Sequence, residues 1–372
     1  MSKRKFAIHN KSDRPDNIVY REQEIIEHCM VIEDQLPPFM EDFFLYLKNA
    51  VALSSRHAYL EDILFFCKYL LKETNITVAE NTSEITIDEF NKITAKDINH
   101  FIGNFCARYI IKNDNSIKVM ENNQRTLARK KSTISVLFKY LFRDELVEKN
   151  ITDGFNPIKL PKPQPDAIKR LDIDEVVKLL DLIDSGELLN EKERVYWEKT
   201  KLRDRAIFVL FLTYGLRVSE LQQLNLSSFN YNRGEFRIFR KRGKEVLMPI
   251  NKTCEKVVKE YIESERPNID SDDFVDKDAL FLSLQKKRMT VRTIRNLTKK
   301  YTSLVMGLDK DNGYSPHKLR ATAATSLIQQ GFSIYDVQNL LDHDNITTTQ
   351  LYAAHKKDVK REIVKNFEWL DE

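Results

Sequence analysis

Four prolines fall within the eleven residues from Asn156 to Asp166. Proline fixes its own φ, lacks an amide proton and pushes the preceding residue out of the helical region, so no regular helix can cross this stretch. It reads as an extended connector. With 372 residues in all, the chain is long enough to bury a separate core on each side. The expected divisions are an extension over 1–33, a first domain over 34–155, a linker over 156–167 and a second domain over 168–372.

Both flanks carry apolar residues at helical spacing, and the chain has only 9 Gly and 10 Pro. The fold class expected is therefore mainly α. Before the linker, Phe39, Phe43, Phe44 and Leu47 form one stripe. Ser54-Ser55 is placed to cap a second helix with Tyr59, Ile63, Phe66, Tyr69 and Leu70 inward and Arg56, His57, Lys68 and Lys72 outward. Thr94 to Asp97 reads as another helix start. A further helix over about 123–142 points Leu127, Ile134, Leu137, Phe138 and Leu141 inward, and its first half carries Arg125, Arg129, Lys130 and Lys131 with no acid among them. Such a cluster is either a solvated face or a surface for phosphates.

After the linker, the most apolar helix runs from Arg203 to Tyr214 and stops at Gly215, which sets Arg217 at the start of the next helix with Glu220 as an orienting partner. Short alternating runs at 236–240 and 245–250 then predict a β-hairpin whose tip, Lys241-Arg242-Gly243-Lys244, is basic. Ser315 suits an N-cap and Pro316 the first helical position, so His317 and Arg320 share one face near a positive helix end, a phosphate site in outline. Ser333 to Asp336 starts a helix that ends at His343, and Tyr352 follows on a third short segment.

Taken singly, each of these residues is more often structural than chemical. Together, Arg217, a lysine on a hairpin, His317-x-x-Arg320, His343 and Tyr352 resemble the tyrosine recombinase (phage integrase) family in order and spacing. The local words Tyr-Gly-Leu-Arg-Val-Ser-Glu-Leu (214–221), Ser-Pro-His-Lys-Leu-Arg (315–320) and Leu-Leu-Asp-His (340–343) carry the resemblance, with Tyr352 nine residues after His343. It implies a two-domain DNA clamp. Residues 34–155 would be a helical, SAM-like core-binding bundle, and 168–372 a mixed helical catalytic domain with a small antiparallel sheet. It implies an Xer-like site-specific recombinase that cuts and rejoins DNA through a 3′-phosphotyrosyl intermediate and a Holliday junction. Tyr352 would be the nucleophile and Arg217 and Arg320 the phosphate clamps. Lys241 would be the acid for the leaving oxygen, His317 a proton acceptor and His343 a phosphate hydrogen-bond donor. Arg125, Arg129, Lys130, Lys131, Arg242 and Lys244 would contact DNA. Arg240, Arg242 and Lys244 compete with Lys241 for the hairpin role.

No cofactor, metal or ATP is implied, because side-chain cations neutralise the phosphate. The partners implied are a double-stranded recombination site and three further copies of the chain. Those copies would be linked in a tetramer by exchange of a last helix bearing Val359, Ile363, Phe367 and Leu370; docking of that helix within its own chain is the plainer alternative. The resemblance leaves chromosome-dimer resolution and mobile-element integration both open. A type IB topoisomerase-like enzyme and a non-catalytic DNA-binding regulator are the alternatives, disfavoured by His317, the tail and the complete polar set. Asp342 departs from the glycine common in relatives, and with Asp344 it would favour a protonated His343 if both acids face it. Composition agrees with a soluble protein of the cytoplasm. The charge is +4, no apolar run spans a bilayer, and Cys29, Cys67, Cys106 and Cys254 lie far apart without metal spacing.

Overall fold

A computed structural model describes residues 14–113, 116–161, 169–240, 243–269 and 277–342. The chain divides into two compact units, Met1–Lys162 and Pro163–Glu372, and the division falls inside the proline-rich stretch. Both are mainly helical with small antiparallel sheets. No helix among the described residues is long and apolar enough to cross a membrane.

The first unit contains α1 (Asp16–Glu33), α2 (Glu41–Ala50), α3 (Leu53–Glu73), α4 (Ile87–Asn91), α5 (Ala95–His100), the hairpin β1 (Arg108–Asn113) and β2 (Ser116–Glu121), and α6 (Gln124–Arg143). Its core forms between α3 and α6, where Leu60, Ile63, Phe66 and Leu70 meet Ile134, Leu137, Phe138 and Leu141. Phe66 packs edge-on against Phe101 at 4.9 Å and against Phe138 at 6.3 Å. Asn123 caps α6 by accepting from the Thr126 amide at 3.0 Å. The cap assigned to Ser54-Ser55 is different: α3 begins at Leu53, with Ala52 as N-cap and without a side-chain cap, so both serines lie inside the helix.

Two charged residues placed on outer faces are inside. Arg56 is buried and donates to Glu33 Oε1 at 2.5 Å. Lys130 is buried as well and donates to Asp62 Oδ1 at 2.8 Å. Asp62, itself buried, also receives the Arg129 fork and the Thr133 hydroxyl. A carboxylate taken out of water needs donors of this kind, and these cations supply them. The β1–β2 hairpin was not anticipated. Its inner face is held by Tyr109 against Phe65 and Phe105, while Ile110, Ile117 and Val119 lie exposed on the other.

The second unit contains α7 (Ile173–Ser185), α8 (Glu191–Trp197), α9 (Lys201–Tyr214), α10 (Val218–Gln222), a sheet of β3 (Phe229–Asn230), β4 (Glu235–Phe239) and β5 (Glu245–Pro249), α11 (Lys252–Ser264), α12 (Val291–Met306), α13 (Pro316–Gln329) and α14 (Ile334–Leu341). The strands run in the order β3-β4-β5, with Phe236 opposite Met248 and Ile238 opposite Val246. Beyond the stripe expected of it, α9 is buried on nearly every side, through Ala206, Ile207, Phe208, Val209, Leu210 and Phe211. It is a central helix, with α7, α11 and α13 packed around it. The four cysteines are free and buried.

Candidate active site

Gly215 ends α9 at φ 58, in the left-handed region that glycine adopts without a Cβ penalty. A Cβ here would also lie 2.5 Å from Leu341 Cδ2, so the Leu341 side chain at the end of α14 would have to shift to admit one. Two residues on, Arg217 is the N-cap of α10 and is held at both ends by buried Glu220. Its amide donates to Glu220 Oε2 at 2.8 Å and its Nη1 to Oε1 at 2.8 Å. The partner expected for Arg217 is therefore in place.

His317 and Arg320 lie on the first turns of α13, which opens with Ser315 as N-cap and Pro316 behind it, although the Ser315 side chain makes no cap bond. Arg320 is buried, and its Nη1 donates to Gly215 O at 2.6 Å. His317 keeps an exposed edge. Crowding by protein on its other side lowers its pKa, and the positive charges of Lys318, Arg320 and Arg217 act in the same direction. The direction does not depend on how fully the ring is buried, since three nearby cations alone disfavour an imidazolium.

The last turn of α14 draws the cations together. A helix leaves its final carbonyls without intrahelical partners and carries a partial negative charge at that end. Here three consecutive carbonyls accept from arginines. Leu340 O receives Arg240 Nη2 at 2.6 Å, Leu341 O receives Arg320 Nη2, and Asp342 O receives Arg217 Nη2 at 3.0 Å. Arginines 217, 240 and 320 come from three separate elements, so a single helix end sets their mutual positions.

Of the hairpin cations, Arg240 is buried at the end of β4 and Lys244 is exposed at the start of β5. Lys244 Nζ donates to Asp342 Oδ1 at 2.9 Å, and Arg240 Nη1 lies 3.6 Å from the same oxygen. The hydrogen bond from Lys244 holds the Asp342 carboxyl below the usual carboxylate range. With two cations beside it, the Asp342 carboxylate is compensated within the protein. Lys241, Arg242, His343, Asp344, Tyr352 and the tail bearing Val359, Ile363, Phe367 and Leu370 lie outside the described residues.

The basic face of α6 resolves unevenly. Arg125 is exposed and Arg129 partly so, whereas Lys130 is internal, its ammonium also lying 4.6 Å from the Phe65 ring centroid. Lys131 Nζ donates to Asn156 O at 2.6 Å. As a DNA contact, Lys130 is corrected: its charge is matched inside the unit by Asp62. The Asp342 carboxylate is the participant that sequence reasoning did not assign to the site, and Arg240, there only a competitor for the hairpin lysine's role, is instead seated on the end of α14. The position of Asp342 just after the Leu-Leu end of a helix, facing a basic hairpin, was the available signal.

A helical domain whose helix end collects the arginines of the Arg…His-x-x-Arg pattern defines a class of phosphate-handling, DNA-acting proteins. The Phage integrase family model matches residues 169–358, and the chain belongs to that family, the tyrosine recombinases. It is 31% identical over 338 residues to Tyrosine recombinase XerC of Caldanaerobacter subterraneus subsp. tengcongensis, covering 88% of this chain and 86% of that one. It is 32% identical over 248 residues to Tyrosine recombinase XerD of Staphylococcus epidermidis, covering 67% of this chain and 78% of that one. Among solved structures, XerH site-specific recombinase bound to palindromic difH substrate in a post-cleavage complex superposes with a TM-score of 0.60 at 20% identity, covering 93% of this chain and 89% of that one.

Proposed function

We propose that this protein is a site-specific DNA recombinase of the Xer type, which exchanges strands through a covalent 3′-phosphotyrosyl intermediate. The observation that carries the reading is the seating of Arg217 and Arg320 on the adjacent carbonyls of Asp342 and Leu341, with His317 three residues from Arg320 on the same helix. Two guanidiniums fixed in this way meet the non-bridging oxygens of a phosphodiester without reorganising as charge builds in the pentacoordinate transition state.

Tyr352 Oη attacks the phosphorus, forming the tyrosyl–phosphate bond as the bond to the 5′-oxygen breaks. The departing oxygen takes a proton from the hairpin lysine, Lys241, and leaves as a 5′-hydroxyl. His317, held neutral by its surroundings, takes part in removing the tyrosine proton. His343 donates a hydrogen bond to the phosphate. The phosphodiester energy is kept in the covalent adduct, so a 5′-hydroxyl from a second duplex can reverse the step without ATP. The unit spanning residues 34–155 would grip the duplex through the exposed part of the α6 basic face and the unit spanning 168–372 would cut it. Four copies joined through their tails would bring two sites together. Relatives named XerC and XerD support chromosome-dimer resolution over mobile-element integration.

The test begins with selection of the preferred site from a randomised duplex library. The full chain is then incubated with that site nicked so that the cleaved fragment diffuses away, and the products are separated on a denaturing gel. Wild type is expected to give a slow covalent band, absent with Tyr352→Phe. Binding without any adduct would instead make the protein a DNA-binding regulator.

A further inference from the structure

Asp342 closes α14 at φ 52 and ψ 56, a left-handed conformation that glycine adopts freely and aspartate at a modest cost. Strain of this kind persists where the surroundings hold the residue in place. Asp342 faces in two directions. Its carbonyl receives Arg217, and its carboxylate receives Lys244 and lies beside Arg240.

The two hairpin cations are unequal. Lys244 is mostly exposed, and an ion pair in water contributes little. Arg240 is buried, has Asp342 as its only ion-pair partner among the described residues, and its Nε is buried without a hydrogen-bond partner there. Its one guanidinium hydrogen bond among the described residues goes to Leu340 O, so the buried charge itself is balanced by Asp342. Arg240 and Lys244 also close the hairpin on themselves, the Arg240 amide donating to Lys244 O at 2.8 Å.

On the reading that this protein is a recombinase, we propose that Asp342 is a positioning residue that locks Arg240 and Lys244, where β4 ends and β5 begins, to the end of α14 and so holds these strands in register with the phosphate that Arg217 binds.

The test compares full-length wild type with Asp342→Asn and Asp342→Gly on the nicked duplex selected above, at saturating protein. It also follows amide hydrogen exchange at residues 240 and 243–246 without DNA. Both variants are expected to slow adduct formation about ten- to a hundredfold, the scale at which a small misplacement acts. The dissociation constant for the same duplex should stay within about twofold of wild type while hairpin exchange accelerates, because the carboxylate orients rather than binds. Asp342→Gly relieves the backbone strain, so it separates loss of the lock from loss of the fold should Asp342→Asn prove unstable. Adduct formation at the wild-type rate, hairpin exchange at the wild-type rate, or a loss of affinity as large as the loss of rate would each overturn the proposal. If wild type itself forms no adduct, the recombinase reading falls, while the exchange comparison still decides whether Asp342 locks the hairpin.

Discussion

At Arg217, the buried Glu220 and the carbonyl of Asp342 leave the guanidinium one orientation. Arg217→Lys keeps the charge but loses the planar fork, so adduct formation is expected to fall about a hundredfold or more in single-turnover assays. His317 supplies a pH prediction. Its pKa lies below the ordinary 6.5, so the ring is neutral at pH 7 and able to accept a proton. In the window between the lowered value and 6.5, the unfolded chain binds more protons than the folded one. Its contribution to stability is therefore full above 6.5 and is lost as pH falls through the folded value. An NMR titration of the ring in the DNA-free protein should have its midpoint below 6.5; a midpoint at or above that would contradict the cationic surroundings described.

Among the elements, α6 shows what sequence periodicity carries and what it hides. Its limits and its apolar stripe were readable. Lys130 was grouped with its basic neighbours, yet it stands three residues after Leu127 and four before Ile134, on the apolar stripe itself. Arg56 has the same relation to Leu60 on α3. In both cases the position was legible and the buried partner, Asp62 or Glu33, was not, because a contact between helices leaves no trace in local spacing. Asp62→Ala should destabilise the protein by about 3 kcal/mol in denaturant melts, since it leaves a buried ammonium without its carboxylate. Arg125→Ala should leave stability unchanged and reduce the slope of log affinity against log salt by about 1. The β1–β2 hairpin escaped notice because it buries one face only locally and exposes Ile110, Ile117 and Val119, so hydrophobicity does not mark an inside.

For the molecule as a whole, the division into two units followed from four prolines, and the family from side chains spread over residues 217–352. What no single-chain pattern conveys is how copies assemble. If the tail is exchanged between protomers, removing residues 358–372 should leave one-site binding intact while abolishing paired-site complexes in sedimentation on DNA. If it docks at home, the same deletion should lower the melting temperature.

The carbonyls of residues 340, 341 and 342 that seat Arg240, Arg320 and Arg217 lie on the same stretch of chain as Tyr352, which follows Asp342 by ten residues. Moving the last turn of α14 removes an acceptor from all three cations at once. The three cations therefore share one foundation: a protomer in which the last turn of α14 shifts loses the seats of Arg217, Arg240 and Arg320 together rather than one by one.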